Sequence, residues 1–169
     1  MKEELKALVP LALENDQRAQ AKIIDLTQNR LFKFCVLLGH NRELAEDLCQ
    51  EAYIKAFASL KKLDTPESFY PWLCQIAKNL FFDHTRKQKE KLGDGESDDE
   101  GSSTESNMED IVQVQKVLKS FDPADRFLLL MIELEGMSYK ETADQLKTTE
   151  DAVRSKLHRL RQEFVKKLG

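Results

Sequence analysis

The chain has 169 residues, 41% hydrophobic and 33% charged, enough apolar mass for one or two small soluble domains. It has no long apolar run, which excludes a membrane-spanning helix. Its start, Met1-Lys2-Glu3-Glu4-Leu5, puts acids where a secretory signal needs cations, so a cytoplasmic location is expected. The net charge of -4 is unevenly spread: residues 91–110 carry eight acids against one base, Lys91, so that segment holds -7 and the remainder +3, which leaves nucleic-acid binding open.

Apolar periodicity predicts helices over roughly 3–13, 16–38, 41–61 and 67–89, with no sustained alternation of period two. Cys35, Cys49 and Cys74 are odd in number, widely spaced and set in apolar patterns without a CxxC pair; buried reduced thiols are expected rather than a disulfide or zinc site. His40, His84 and His158 lack metal-ligand spacing. No glycine-rich phosphate loop, nucleophile elbow or paired-carboxylate signature occurs, so no cofactor is expected and an enzyme is the least favoured class.

In the third helix, Asn41 is an N-cap candidate, and Leu44, Ala45, Leu48, Cys49, Ala52, Ala56 and Leu60 form a broad core face. Asp47, Gln50, Glu51, Ile54 and Ala58 lie opposite. An isoleucine flanked by acids suits a protein-docking face, although a solvated face with one stray isoleucine gives the same pattern. Asp64-Thr65-Pro66-Glu67-Ser68 reads as a loop, with Pro66 near the next helix start.

The fourth helix is the most informative. Phe69, Leu73, Ile76, Ala77 and Leu80 fall on a core side, while Gln75, Lys78, Asn79, Phe82 and Arg86 share the other side, with Trp72 at its edge. Aromatic planes stack unpaired bases, asparagine hydrogen-bonds base edges, and Lys and Arg pair with phosphates. An aromatic-rich helix buried between two neighbours would show the same periodicity.

Residues 93–104 contain no apolar side chain and cannot offset their own ordering entropy by burial; the segment 91–107 reads as a flexible acidic linker between domains at 1–90 and 108–169. Beyond it, helices are expected over roughly 108–120, 123–135, 138–146 and 149–168. Pro123 sits in a tolerated first-turn position, Gly136 ends the second helix, and Ser138 with Glu141 forms a capping box. Lys147-Thr148-Thr149 makes a turn, with Thr149 as the next N-cap. A short helix, a tight turn and a longer basic helix form a helix-turn-helix. In that last helix Val153, Leu157, Leu160, Phe164 and Leu168 make an apolar stripe. Ser155, His158, Arg159, Gln162 and Lys166 lie opposite, with Arg154 and Arg161 on a flank. Six Lys or Arg against the one acid Glu163 between Arg154 and Lys167 favour DNA binding over an ordinary solvated basic face.

An ordinary DNA-binding regulator would explain the helix-turn-helix but not the polar-aromatic face of the fourth helix. An adaptor that binds only protein would explain the acidic linker but not the basic terminal helix. The whole arrangement resembles a bacterial sigma-70 family factor of the small two-domain extracytoplasmic-function group, over nearly all of the chain except the linker. Asp47-Leu48-Cys49-Gln50-Glu51-Ala52-Tyr53-Ile54-Lys55-Ala56-Phe57 is similar to that family's polymerase-binding segment. Phe69, Trp72, Leu73, Ile76, Ala77, Asn79, Asp83 and Arg86 match its promoter-melting segment. Tyr139, Glu141, Ala143, Leu146, Val153, Arg154, Ser155, Leu157, His158, Arg159 and Arg161 match its final helix-turn-helix. Thr142, Gln145 and Thr148 depart from places where relatives often have aliphatic residues, Lys147 from the usual turn glycine, and Leu63 stands where relatives often have a residue of the loop that captures a flipped promoter base.

The resemblance implies an all-α fold of two small helical domains, the second a helix-turn-helix of the winged-helix-like, sigma region 4 kind. It implies a transcription initiation factor without cofactor or metal, acting in a stress response, whose partners are core RNA polymerase, promoter DNA and an anti-sigma factor, with no membrane insertion. Asp47, Gln50, Glu51 and Ile54 would bind the polymerase. Leu63, Phe69, Trp72, Lys78, Asn79, Phe82 and Arg86 would bind the minus-ten element. Thr149, Arg154, Ser155, Lys156, His158, Arg159 and Arg161 would bind the minus-thirty-five element. By the same resemblance the acidic linker would pass through the polymerase's nucleic-acid channel; an inert soluble tether explains its composition equally well.

Overall fold

The computed structural model describes residues 1–93 and 108–169, and the chain divides into two compact units, Met1–Asp98 and Asp99–Gly169. Every regular element among the described residues is helical. The linker expected over 91–107 lies, from Asp94 onward, outside the described residues.

Unit 1 contains α1 (Lys2–Leu13), α2 (Gln17–Gly39), α3 (Arg42–Ala58) and α4 (Phe69–Leu92). Their starts follow from local chemistry. Asp16 caps α2, its carboxylate accepting from the amides of Arg18 (2.9 Å) and Ala19 (3.2 Å), and Asn41 caps α3 by accepting from the Leu44 amide at 2.9 Å. Helix α3 stops three residues short of the expected end. Ser59 Oγ donates to the Lys55 carbonyl at 2.6 Å, and the chain tightens into a 3₁₀ turn over Leu60–Lys62. Conversely, α4 runs through Leu92, two residues into the segment expected as linker. Nothing in Lys89-Glu90-Lys91 opposes a helix, the two lysines suit the negative end of its dipole, and Gly93 at φ +68° ends it.

The unit 1 core is built from Leu5 and Val9 of α1, Ile23, Leu31, Phe34 and Leu38 of α2, Leu48 and Ala52 of α3, and Phe69, Leu73, Ala77 and Leu80 of α4, all buried. Each large side chain fully removed from water contributes about 1.5–3 kcal/mol, which fixes α4 by its inner face and leaves the opposite arc outward. A polar bridge lies within this core: Thr27 donates to the Ile23 carbonyl, so the Tyr53 hydroxyl, 2.7 Å away, donates to Thr27. Burial raises the pKa of Tyr53, which keeps that donor proton in place. At the end of α2, a Cβ on Gly39 would come within 3.2 Å of the Phe81 ring, so the residue is small because α4 passes close by.

Unit 2 contains α5 (Met108–Lys119), α6 (Pro123–Leu129), α7 (Tyr139–Leu146) and α8 (Glu150–Leu168). The helix expected over 123–135 is α only to Leu129 and widens into a π turn over Leu130–Leu134; Gly136, at φ +66°, then turns the chain. Ser138 and Glu141 form the capping box of α7, and Lys147, in the left-handed region at φ +53°, ends it. Thr149 caps α8, its Oγ1 accepting from the Ala152 amide at 3.1 Å. Phe127, Met131, Ala143, Val153, Leu157 and Leu160 form the centre of this core. Thr142, polar where relatives often carry an aliphatic residue, is buried but donates to the Ser138 carbonyl at 2.9 Å, so its hydroxyl is satisfied.

One residue that periodicity did not single out holds this unit together. The guanidinium of Arg126 is buried and donates to the carbonyls of Leu118 (2.9 Å), Phe121 (3.0 Å) and Lys119 (3.3 Å), at and just beyond the end of α5; the Leu118 carbonyl also accepts from the Phe121 amide at 3.1 Å. Burial lowers its pKa, an effect opposed by nearby Asp122.

Candidate polymerase and nucleic-acid interfaces

On α3 the structure brings Asp47, Gln50, Glu51 and Ile54 onto one exposed face, with Ile54 70% exposed. Glu51 reaches Lys55 at 3.8 Å, a solvent-screened i,i+4 pair that leaves the carboxylate available to a partner. An apolar residue of this size stays outward because Tyr53, its neighbour in sequence, takes the inward position.

The outward arc of α4 carries Trp72, Gln75, Asn79, Phe82 and Arg86, which at about 100° per residue fall within about 80° of one another. Asn79 and Arg86 are exposed; Trp72, Phe82 and Lys78 are partly buried. The Lys78 ammonium sits 5.7 Å from the Phe82 ring centroid, and partial burial lowers its pKa. Arg86 leans on Asp83 at 3.3 Å. Leu63, partly buried, closes the 3₁₀ turn ahead of this helix.

Phe69 requires a correction. Proposed above for both the core and the minus-ten contact, it is 0% exposed and offers no face to DNA. Its ring lies 6.2 Å from Phe57 and 6.2 Å from Trp72, so it backs the tryptophan from beneath. A residue at the first turn of an amphipathic helix can point either way by sequence; the Phe57 ring on α3 decides it.

On α8, Arg154, Ser155, Lys156, His158, Arg159 and Arg161 are all exposed. Three of these cations are held by acids of their own unit. Arg154 pairs with Asp151 at 3.0 Å and lies 5.5 Å over the Tyr139 ring; Lys156 pairs with Asp125 at 2.9 Å; Arg161 pairs with Glu133 and donates to the Tyr139 hydroxyl at 3.3 Å. The hydrogen bond to Glu133 raises the Arg161 pKa. Arg159 has no acidic partner among the described residues. The hydroxyl of Thr149 is committed to its cap. Sequence reading named the cations but not Asp125 and Glu133, which approach α8 from α6 and its π extension and are invisible to helical periodicity.

Two family descriptions match, in order: Sigma-70 region 2 over residues 23–91, and Sigma-70, region 4 over residues 111–164. Among curated relatives the chain is 31% identical to the extracytoplasmic-function sigma factor SigE of Mycolicibacterium smegmatis, over 80% of this chain and 56% of that one. It is 29% identical to SigM of Bacillus subtilis, over 83% and 90%. The chain belongs to the sigma-70 family, in its extracytoplasmic-function group. Members of this family are transcription initiation factors rather than enzymes. The chain spans about half the length of the first curated relatives it matches. Its fold is that of the sigma factor RpoE of Bartonella quintana, solved in complex with the anti-sigma factor NepR, with a TM-score of 0.77 at 22% identity, covering 88% of this chain and 95% of that one. The region 2 match begins within α2 and ends within α4, so it contains both the α3 face and the α4 arc; the region 4 match contains α6, α7 and most of α8. Helix α1 lies outside both. No helix among the described residues is long and apolar enough to cross a membrane.

Proposed function

We propose that this chain binds core RNA polymerase through Asp47, Gln50, Glu51 and Ile54 and directs it to promoters, where unit 2 reads the minus-thirty-five duplex and unit 1 holds the minus-ten element as unpaired strand. The observation that carries this reading is the α4 arc: Trp72, Asn79, Phe82 and Arg86 face outward together, on a helix fixed by its inner side. Extruding a base costs a few kcal/mol, and stacking on an aromatic surface returns about 1–3 kcal/mol per base. Capture of unpaired bases by Trp72 and Phe82, with Asn79 bonding a base edge and Arg86 and Lys78 neutralising phosphate, therefore drives strand opening without hydrolysis. Leu63 lies on the preceding turn, where it would flank the captured base.

In unit 2, Arg154, Ser155, His158 and Arg159 lie toward the N-terminal half of α8, the part of a recognition helix that reaches base edges. Lys156, Arg161 and the Thr149 cap would support the backbone contacts. Because the solved RpoE structure includes an anti-sigma factor, we assign the same class of partner to this chain, with release from it as the trigger of a stress response. The protein would act where polymerase is, in the cytoplasm.

The test is reconstitution. The full chain should co-purify with bacterial core polymerase and support run-off transcription from fragments selected out of genomic DNA by the holoenzyme. Binding to core without promoter-specific transcripts, or duplex binding without core binding, would overturn the assignment in favour of an adaptor or an ordinary regulator respectively.

A further inference from the structure

Tyr139 touches two arginines of α8 without belonging to that helix. It is the first residue of α7, directly after the Ser138 N-cap. The capping box fixes its backbone: the Ser138 hydroxyl accepts from the Glu141 amide at 3.1 Å, and the Glu141 carboxylate accepts from the Ser138 amide at 3.0 Å. Its side chain is partly buried. The Arg154 guanidinium lies 5.5 Å from the ring centroid, and Arg161 donates from Nη1 to the phenol oxygen at 3.3 Å. The two arginines stand two helical turns apart on one side of α8, roughly 10 Å along its axis, and a flat ring with a polar tip meets both. Each is thereby held at two points. Arg154 has Asp151 at 3.0 Å on its own helix and the ring on α7. Arg161 is held through two different nitrogens, Nε to Glu133 and Nη1 to Tyr139, which fixes the plane of its guanidinium. A ring and a hydroxyl orient a cation without neutralising it, which a carboxylate cannot do.

We propose that Tyr139 is a positioning residue for minus-thirty-five recognition: its ring aims Arg154 at a base edge and its hydroxyl sets Arg161 against the phosphate backbone. One side chain on α7 thus places a base reader and a phosphate clamp together. This rests on the reading of α8 as the recognition helix. Tyr139 need not touch DNA to act. A bidentate contact requires the guanidinium plane in register with a base edge, and an unrestrained arginine gives up rotamer freedom to reach it. A side chain already held in plane gives up that freedom on folding instead, so less is lost on binding. The two functions of Tyr139 are separable, because phenylalanine keeps the ring and discards only the hydroxyl. Sequence discrimination belongs to the ring, through Arg154; the hydroxyl, through Arg161, contributes only to sequence-independent hold.

The experiment compares wild type, Tyr139→Phe and Tyr139→Leu in two measurements. In the free full chain, NMR of the arginine side chains should show the Arg154 protons shifted upfield by the ring current. That shift should persist in Tyr139→Phe and vanish in Tyr139→Leu. In the reconstituted holoenzyme, affinity for a selected minus-thirty-five duplex is set against the same duplex scrambled. Discrimination should stay within about twofold of wild type in Tyr139→Phe and fall roughly tenfold in Tyr139→Leu, the lower range of what a bidentate arginine contact supplies. Adding Tyr139→Leu to Arg154→Ala should cost no further discrimination, since the ring acts through that arginine. An unshifted Arg154 in wild type overturns the proposal without any variant having to fold. So does a Tyr139→Leu holoenzyme that discriminates as wild type does, or a Tyr139→Phe holoenzyme that loses as much as Tyr139→Leu. A wild type that shows the shift yet binds both duplexes equally would overturn the recognition-helix reading, and the role of Tyr139 with it.

Discussion

The two faces proposed to meet DNA are built by opposite rules. On α4 the outward arc is aromatic and amide-bearing, backed by the buried Phe69 ring, with an exposed Arg86–Asp83 ion pair. On α8 the outward face is cationic, and Arg154, Lys156 and Arg161 are each held by an acid of the same unit. Rigid rings on a packed helix suit unpaired bases, whose faces must be met by a surface already in place. Long cations held in defined positions suit a duplex, where a planar guanidinium must arrive in register with a base edge. The pairing also has a cost, because each acid competes with phosphate for its cation.

Removing the support of one unit should break this comparison most severely. Arg126→Ala removes the charged donor shared by three carbonyls at and just beyond the end of α5 and opens a cavity; hydrogen bonds to a charged group are worth about 1.5–3 kcal/mol, so a loss of about 3 kcal/mol is expected for unit 2. Hydrogen exchange should quicken across residues 112–169 and stay near wild type in unit 1. The holoenzyme should lose minus-thirty-five dependence while retaining affinity for a template with a pre-melted minus-ten bubble. Equal loosening of both units would show that they do not fold independently.

Arg126 also marks where sequence reading ends. Helix positions, caps and the inward and outward faces were legible, because periodicity and the Asn41, Ser138–Glu141 and Thr149 signals are local. The α3 and α4 faces were legible for the same reason. What periodicity could not supply were side chains whose partners lie on another element: Arg126 under α5, Phe69 against Phe57 of α3, and Asp125 and Glu133 against α8. A lone arginine in a short helix reads as surface. The π turn at Leu130–Leu134 carries no sequence mark distinct from an ordinary apolar helix end.

The next effects divide the two faces by function. Trp72→Ala should remove about 1–3 kcal/mol of base stacking, roughly tenfold or more in open-complex formation, read by permanganate reactivity of holoenzyme on a closed promoter. Its affinity for the minus-thirty-five duplex should be unchanged. Arg159→Ala, at a cation without an acidic partner among the described residues, should do the reverse, costing about 1–3 kcal/mol if it contacts a base bidentately and sparing bubble templates. If the Trp72 variant opens closed promoters as well as wild type, the capture role is wrong.

A smaller change should sharpen unit 2. Lys147 holds a left-handed conformation that costs a side-chain-bearing residue about 1 kcal/mol, and its Cβ serves no buried contact. Lys147→Gly should recover part of that, less the added freedom of the unfolded chain, and raise the melting temperature of unit 2 by a few degrees. An unchanged or lowered melting temperature would mean that the lysine side chain stabilises the turn by more than the strain it imposes.

The smallest effect tests whether the acids behind α8 restrain its cations. Asp125 is the most enclosed of the three, at 21% side-chain exposure, and its oxygen sits 2.9 Å from Lys156 Nζ. An exposed or half-exposed pair of this kind contributes less than about 1 kcal/mol, so its removal should leave folding nearly intact apart from the loss of an acid in the first turn of α6. Freed from its carboxylate, Lys156 would need to break no ion pair before meeting a phosphate. Asp125→Asn should therefore strengthen holoenzyme binding to duplex DNA a few-fold at low salt, without altering the preferred sequence, because phosphate contacts position the protein and do not read bases. The gain should shrink as salt rises, and it should vanish in the double variant with Lys156→Ala, which removes the cation itself and about one unit of salt slope. An equal gain with and without Lys156 would place the effect in general electrostatics, and the acid would then have no specific hold on that residue.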